Sequence, residues 1–260
     1  MSPPSSIEAL KNNKIDLWFI DPNKLDLKAM STIKSTLSMT ESENIHQFKN
    51  KIAQHTAIVT RSICRLVLAQ YVSLPPSEIH FIRNQHGKPE LESNPLKIRF
   101  NLSHNNQLII MAVCVKDDIG CDIENPLRKV SIEPITRRYF SKQEHNKLCQ
   151  LSGLKQQQRF FEYWTLKEAF VKATGIGISL GLDSFYFSFN DQQNENTNDN
   201  IQPSITCDNV SLFFNDNYPL NKNTQWQLHQ RHLNDQIVAV CRASNAKQNI
   251  TLLDASTLIV

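Results

Sequence analysis

A short strand-like stretch carries two acids in a pattern that could bind a metal ion. In Ile119–Glu124 (IGCDIE) the alternation of a β-strand places the side chains of Asp122 and Glu124 on the same face, roughly 7 Å apart. Two carboxylates on one face repel each other unless a hard cation lies between them. Oxygen ligands of this kind suit magnesium, with water and a substrate phosphate completing the shell. The alternative is a half-exposed strand with solvated acids.

A long helical stretch carries charges in the middle of an apolar pattern. Between Arg159 and Leu182 the aromatic stripe that includes Trp164 continues through Glu168 and Lys172, which lie one helical turn apart. Buried charges cost several kcal/mol unless they are paired, hydrogen-bonded or bound to an ion. We therefore interpret this helix as one wall of an anion- and metal-binding site, with Glu168 as a third metal ligand. Lys167 lies about 100° off the stripe and is a secondary candidate.

A serine and a histidine stand at the end of another predicted strand, in the sequence FNLSH. Ser103 and His104 are adjacent, so in a strand they point to opposite faces and do not form a nucleophile–base pair. Both could instead donate hydrogen bonds to phosphate oxygens. A polar hairpin turn is the alternative.

Four basic residues precede that strand. Arg83 precedes a predicted turn at Asn84–Pro89 that contains Lys88. Arg61 and Arg65 share one helix face, where their like charges repel slightly unless an anion is present. Solvated surface charges are the default interpretation of all four.

The elements that must position these residues form two series of strands and helices, with the boundary near Asp117. The pattern predicts an α+β fold with antiparallel sheets, divided into residues 1–117 and residues 118–260, the latter with the metal site and the C-terminal tail. Asn190–Asn200, rich in Asn and Gln, is predicted to be a mobile hairpin loop. The predicted elements are strands at Ile15–Ile20, Ile79–Arg83, Lys97–Leu102, Leu108–Val115, Ile119–Glu124, Ser184–Asn190, Val210–Phe214, Trp226–His232 and Ile237–Arg242, and helices at Asn44–Leu74, Ile132–Leu151 and Arg159–Thr174.

Composition describes an ordinary globular protein. The 260 residues are 40% hydrophobic and 20% charged, and the formal charge of +3 gives no argument for nucleic acid. The longest apolar run, Leu108–Val115, is too short to span a membrane, and the N-terminus lacks the apolar core of a secretion signal. The six cysteines have no CxxC spacing, which favours reduced core thiols over disulfides or zinc. We expect a cytoplasmic protein.

The motifs occur in an order that resembles the 4′-phosphopantetheinyl transferases of the type that activates non-ribosomal peptide synthetases. That family shows G-K-P, F-N-x-S-H, G-[IV]-D-I-E and W-[TS]-x-K-E-[SA]-[FY]-x-K-x-x-G-x-G in sequence. The resemblance spans about residues 57–183. The matching segments here are GKP, FNLSHN, IGCDIE and FFEYWTLKEAFVKATGIGISL, with Phe140-Ser141-x-x-Glu144 also in place.

The resemblance implies two pseudo-symmetric α+β subdomains, each an antiparallel sheet packed with a long helix, with coenzyme A bound between them. It implies Mg²⁺ held by Asp122, Glu124 and Glu168, and contacts to coenzyme A phosphates from Arg83, Lys88, Ser103, His104 and Lys172. Related enzymes carry an arginine on the first helix near the position of Thr56. Here Lys49, Lys51 or Arg61 would supply that charge, and Arg61 is our candidate.

The implied reaction transfers 4′-phosphopantetheine from coenzyme A to a serine of an apo acyl or peptidyl carrier protein, releasing adenosine 3′,5′-bisphosphate. Lys172 would stabilise the leaving phosphate, and Glu168, or Glu124 through a metal-bound water, would deprotonate the serine. We expect a monomer. Two alternatives are a catalytically weak binder of coenzyme A or carrier protein, and an unrelated magnesium-dependent nucleotide enzyme. The second lacks support from any GxxxxGKS or GxGxxG loop.

Overall fold

The computed structural model describes residues 10, 13–189, 210–245 and 249–259. The chain divides into two compact units, Met1–Lys116 with Gln248–Val260, and Asp117–Lys247. We expected the C-terminal tail in the second subdomain, but it returns to the first unit. The predicted hairpin loop at Asn190–Asn200 lies outside the described residues.

The first unit joins a sheet to a long helix. Its elements are β1 (Ile15–Ile20), α1 (Leu27–Lys34), α2 (Met39–His46), α3 (Lys51–Val72), β2 (Phe81–Arg83), β3 (Pro89–Leu91), β4 (Ile98–His104), β5 (Ile109–Val115) and β11 (Ile250–Asp254). The strand order of the main sheet is β11-β1-β5-β4, and β2 pairs with β3 in a separate hairpin. The β1–β11 pair is parallel, whereas we expected an antiparallel sheet. This pair brings the tail back to the first unit.

The helical stretch predicted at Asn44–Leu74 is two helices, because Asn50 interrupts it. The Asn50 side chain accepts hydrogen bonds from the backbone N–H groups of Ile52 and Ala53, and so caps α3. The helix ends at Ser73 in the left-handed conformation, just before Pro75 and Pro76. Val59, Ile63 and Val67 of α3 are buried in the core with Trp18 and Ile20 of β1.

The second unit combines an antiparallel sheet with a long helix. Its elements are β6 (Ile119–Glu124), α4 (Ile132–Tyr139), α5 (Lys142–Cys149), α6 (Gly153–Thr174), β7 (Phe185–Phe189), β8 (Val210–Phe214), β9 (Gln227–Leu233) and β10 (Gln236–Arg242). The main sheet has the order β6-β10-β9, and β7 pairs with β8. Helix α6 packs on β6 and β10. The predicted α+β class with two subdomains is therefore confirmed.

The helical stretch predicted at Ile132–Leu151 is also two helices. Ser141 starts α5 with a capping box, in which its side chain accepts from the Glu144 N–H and the Glu144 carboxylate accepts from the Ser141 N–H. Helix α6 ends at Gly175, whose positive φ of 70° permits the left-handed C-cap.

The cysteines in the described residues are free thiols. Cys64, Cys114, Cys121 and Cys241 are buried, whereas Cys149 is exposed, so the prediction of core cysteines is wrong for Cys149. Cys207 lies outside the described residues. In the described ranges, none of the helices has the length and apolar content needed to cross a membrane.

Candidate active site

Strand β6 and helix α6 approach each other unusually closely. A Cβ atom added at Gly120 would lie 2.9 Å from the Lys172 carbonyl carbon and closer still to the Ala169 oxygen and the Ala173 nitrogen. These are backbone atoms of the helix, so they cannot move aside as the end of a flexible side chain would. The absence of a side chain at Gly120 therefore permits the contact. Asp122 shares the alternating face of Gly120 and so points toward the charged stripe of α6.

The central contact of the site is an ion pair. The Lys172 ammonium donates to Asp122 Oδ1 at 2.6 Å, and Asp122 is buried. The contact of Lys172 with a coenzyme A phosphate stays a prediction, and among the described residues its ammonium pairs with Asp122. Burial lowers the pKa of Lys172, but the Asp122 carboxylate together with Cys121 and Glu168 outweighs that effect, so the pKa is raised. Lys172 therefore carries its charge at neutral pH.

The two glutamates lie in the same electrostatic environment. Burial and the negative charge of Asp122 raise the pKa of Glu168, and Glu124 adds to the effect. Burial and Asp122 likewise raise the pKa of Glu124, against the opposing effect of Arg128. The three predicted metal ligands therefore repel one another, as expected of acids that share a cation-binding site.

Arg128 partly compensates this negative charge. Its guanidinium lies 3.2 Å from both Glu124 carboxylate oxygens, and its Cζ lies 5.3 Å from the ring centroid of Phe161 on α6. The sequence reasoning did not identify Arg128. Its position four residues after Glu124 was the one sequence feature from which an ion pair between them could have been predicted.

The residues present fit magnesium by chemistry rather than by a preformed geometry. Asp122, Glu124 and Glu168 supply the hard oxygen donors that magnesium prefers, and their mutual repulsion favours a divalent cation. Among the described residues, however, no group of three or more His, Cys, Asp or Glu side chains is arranged as a metal site. The Lys172 ammonium is the cation that contacts Asp122 Oδ1 in this structure.

Lys167 serves the structure instead of this site. It is fully buried, forms an ion pair with Glu144 Oε2 at 2.8 Å, and donates to the carbonyl oxygens of Leu182 and Phe185 at 2.7 and 2.9 Å. Glu144 also accepts from the Phe187 N–H. These bonds fix α6 relative to α5 and β7 and thereby orient the next residue, Glu168.

The first unit contains a pocket lined by three of the predicted phosphate-binding residues. Arg61, Arg83 and His104 line a cavity of about 330 Å³. The Arg83 guanidinium donates to the Gly87 oxygen at 2.8 Å, and Arg61 donates to the Glu41 oxygen at 3.3 Å. Two guanidinium groups and an imidazole in one pocket can bind an anion.

Arg61 also lines a second cavity of about 570 Å³, together with His104 and Thr56. Neither Lys49 nor Lys51 is among the described residues that line either cavity. Of the three candidates for the missing first-helix charge, Arg61 is therefore the one that these cavities contain.

Ser103 and Lys88 are placed differently. Ser103 is buried while His104 is exposed, as expected for neighbours on opposite faces of β4. Lys88 is half-buried, and its backbone N–H donates to Asn84 Oδ1 at 3.0 Å. Within the described residues, neither side chain lines the two cavities that contain Arg61.

Arg65 is a correction to the sequence interpretation. We expected a solvated charge, but Arg65 is buried, with Nε 2.8 Å from Glu41 Oε2 and Nη1 donating to the oxygens of Pro76 and Ile79. It joins α2, α3 and the segment after α3. Arg65 therefore has a structural role, whereas Arg61 remains available to the cavities.

Comparison with known proteins agrees with the motif order. Residues 118–241 match the 4′-phosphopantetheinyl transferase superfamily, and residues 22–116 match the 4′-phosphopantetheinyl transferase N-terminal family. The 4′-phosphopantetheinyl transferase gsp of Aneurinibacillus migulanus is 26% identical over 200 residues, covering 76% of this chain and 82% of the relative. HetI of Nostoc sp. strain PCC 7120 is 31% identical, covering 65% and 72%. Sfp of Bacillus subtilis strain 168 is 34% identical, covering 58% and 66%.

The two α+β units agree with the two-subdomain architecture that the motifs indicate. The chain belongs to the 4′-phosphopantetheinyl transferase superfamily. It is accordingly an enzyme that transfers phosphopantetheine from coenzyme A to a carrier protein.

Proposed function

We propose that this enzyme transfers 4′-phosphopantetheine to a serine of an apo acyl or peptidyl carrier protein in a magnesium-dependent reaction that releases adenosine 3′,5′-bisphosphate. The observation that carries the proposal is the cluster of Asp122, Glu124 and Glu168 beside the Lys172 ammonium. Three acids that repel one another beside a lysine suit a metal-bound pyrophosphate better than a structural core.

The reaction forms one P–O bond and breaks another. The carrier serine oxygen attacks the phosphorus that bears the pantetheine arm, and the bond to the bridging oxygen breaks to release the adenosine bisphosphate. The serine proton passes to a base, for which Glu168 is our candidate, because its raised pKa makes it a better proton acceptor than an ordinary glutamate. The enzyme needs no nucleophile of its own.

Each charged residue has a role in this proposal. Lys172 exchanges its bond with Asp122 for one with the departing phosphate, where its charge is stabilising. Magnesium, when bound by Asp122, Glu124 and Glu168, would act as a Lewis acid on the phosphoryl oxygens. In the first unit, Arg61, Arg83 and His104 bind phosphate groups of coenzyme A in their cavity, with Lys88 and Ser103 as further candidates from the motifs.

We further propose a cytoplasmic monomer. The free, mostly buried thiols among the described residues suit a reducing compartment. Size-exclusion chromatography with light scattering measures the molar mass in solution and so tests the monomer. Its result does not depend on the catalytic proposal.

The direct test is to mix the protein with Mg²⁺, coenzyme A and an apo carrier protein, and to measure the mass of the intact carrier. Asp122→Asn and Glu168→Gln should each abolish the phosphopantetheine mass gain while cooperative unfolding is retained. Glu133→Gln is a matched control. Glu133 is exposed, and within the described residues its carboxylate bonds only to Arg137. Magnesium-dependent transfer by both site variants would refute the assignment, and transfer by the wild type with EDTA present would refute the metal requirement.

A further inference from the structure

Cys149 differs from the other cysteines that the structure describes, because its side chain lies on the surface at the last residue of α5. The buried cysteines are Cys64, Cys114, Cys121 and Cys241. Burial raises the pKa of the Cys64 thiol to about 12, and the neighbouring Glu41 carboxylate adds to the effect. Such a buried thiol is inert, whereas the Cys149 thiol is accessible to a reactant.

A histidine lies one helical turn before this thiol. His145 and Cys149 are four residues apart on α5, so their side chains share a helix face. His145 Nε2 lies 3.6 Å from Cys149 Sγ, within hydrogen-bond reach for sulfur. A thiol that passes its proton to a neighbouring imidazole becomes a thiolate, which is the nucleophilic form of cysteine.

A threonine from the preceding helix determines which nitrogen of His145 carries the proton. Thr136 of α4 is buried, and its Oγ1 lies 2.9 Å from His145 Nδ1. The Thr136 hydroxyl donates its one hydrogen to the Glu133 carbonyl oxygen at 3.1 Å, so its oxygen accepts from Nδ1–H. His145 Nε2 therefore carries the lone pair, and it accepts the thiol proton of Cys149.

The three side chains together have the arrangement of an activated nucleophile. Cys149 is the nucleophile, His145 is its base, and Thr136 orients the base, which is the relation that activates cysteine and serine in enzymes. We call these three residues the Cys149 cluster. In the described part of the chain, none of them lines the cavities that contain Arg61, and none belongs to the acidic site of β6 and α6.

The charges on α4 and α5 favour an anionic reactant. Lys142 is exposed at the start of α5, about two turns and about 10 Å from Cys149 along the same helix face. Each of the two helices carries one acid. Glu144 is buried in its ion pair, and Glu133 is paired with Arg137. An anion that approaches Cys149 therefore meets the positive charge of Lys142 and a paired carboxylate on each helix.

We propose that Cys149 is a site of reversible disulfide exchange with a small anionic disulfide, and that coenzyme A disulfide is the one that reacts there. Coenzyme A is the substrate of this enzyme, ends in a thiol and carries phosphates. Its disulfide therefore combines a reactive sulfur with the negative charge that Lys142 attracts. The inference goes beyond the proposed function, since the Cys149 cluster takes no part in the transfer reaction.

The exchange is balanced without a further oxidant. The Cys149 thiolate attacks one sulfur of the disulfide, a new S–S bond forms to coenzyme A, and the old S–S bond breaks. The departing coenzyme A thiolate takes up the proton held by His145. One thiol and one disulfide are consumed and one of each is formed, so an excess of a free thiol reverses the reaction.

The test uses the full chain, freed of reductant and incubated with coenzyme A disulfide at neutral pH. Cys207, which lies outside the described residues, is changed to serine in every protein compared. Intact mass measures the rate of adduct formation, and peptide mapping locates the adduct. We expect one coenzyme A per chain, on Cys149 and removable by dithiothreitol. His145→Gln should slow the reaction at least about tenfold, a conservative value for the loss of a positioned base.

A second variant separates loss of the base from loss of the fold. Thr136→Val keeps the size of the side chain and the His145 ring but removes the acceptor for Nδ1–H, so it should also slow the reaction. Adducts on the buried Cys64 would report that a variant has unfolded, and the other variant then supplies the comparison. Wild-type rates in the folded variants would overturn the proposal, as would a wild-type adduct on any cysteine other than Cys149.

Two probes distinguish coenzyme A disulfide from small disulfides in general. Lys142→Gln should slow the reaction with coenzyme A disulfide at least about threefold and leave the rate with uncharged hydroxyethyl disulfide unchanged. Lys147→Gln is the matched control, because Lys147 is exposed on the opposite face of α5 from Cys149. Equal effects of Lys142→Gln and Lys147→Gln, or of Lys142→Gln on both probes, would overturn the preference for coenzyme A disulfide.

Discussion

Replacement of Gly120 by alanine should damage the active site more than it damages the fold. The added Cβ would lie 2.9 Å from the Lys172 carbonyl carbon and closer to two other backbone atoms of α6. An ordinary contact between carbon atoms is about 3.5–4.0 Å, so β6 and α6 must separate by more than about half an ångström. Overpacking of this kind costs about 1–3 kcal/mol. Since a displacement of about 1 Å between reacting groups costs about 100-fold in rate, we expect kcat to fall 10- to 100-fold.

The assay measures urea unfolding and carrier modification on the same preparations. Leu148→Ala is the matched control, because Leu148 is buried on α5 in the same hydrophobic core and its truncation costs about 2–5 kcal/mol. Below its unfolding transition this control should keep kcat near wild type, which separates general destabilisation from displacement of Asp122 relative to Lys172. Wild-type kcat and stability in Gly120→Ala would show that the strand and helix are not in such close contact.

Three further predictions concern the charges. Glu168→Gln should stabilise the magnesium-free protein at pH 8. Because the pKa of Glu168 is raised in the folded state, this residue adds to the free energy of unfolding at pH values below the ordinary glutamate pKa. That added stability is lost as the pH rises through the raised pKa. Urea unfolding across pH 4–8 checks this, and a variant less stable than wild type at pH 8 would contradict it. Lys167→Met should cost about 3–5 kcal/mol, because it leaves the Glu144 carboxylate buried without its ammonium partner. Adding Glu144→Gln should recover part of that loss in the same unfolding assay, and full additivity would argue against coupling. Arg61→Ala should raise KM for coenzyme A about tenfold, as expected for a lost charge-assisted hydrogen bond of about 1.4 kcal/mol. Arg99→Ala, outside the described lining of that cavity, should leave KM unchanged, and equal effects of the two changes would argue against a specific role for Arg61.

The acidic strand and the charged helix were predictable because their patterns are local. Alternation alone placed Asp122 and Glu124 on one face, and β6 occupies the predicted Ile119–Glu124. Gly120 also carried a readable signal, since a glycine on the inward face of a strand suggests close approach by another backbone. The bounds of β6 thus followed from local periodicity, whereas α6 begins at Gly153, six residues before the predicted start at Arg159.

Contacts between distant residues could not be predicted in the same way. The parallel pairing of β11 with β1 joins the two ends of the chain, and no local pattern specifies such a partner. Arg65 could not be told from Arg61 by periodicity, because its burial depends on Glu41 from another helix. Lys167 was ranked second for the same reason, since its partner Glu144 lies on a separate helix. In each case the partner of a charge, and hence its role, is set by tertiary structure.

The two lysines of α6 show how charge balance separates a structural pair from a catalytic cluster. Lys167 and Glu144 balance each other inside the core, so this pair has no need of a ligand. In the other cluster, three carboxylates stand against the cations of Lys172 and Arg128, which leaves one negative charge in a partly buried site. With a divalent cation added, the same cluster becomes positive by one charge and would attract a phosphate. Without the metal this site repels an anion, and with the metal it attracts one. Coenzyme A would therefore bind productively only after Mg²⁺. We expect Mg²⁺ to lower the Kd for coenzyme A measured by calorimetry. Equal affinity with and without Mg²⁺ would contradict this charge argument.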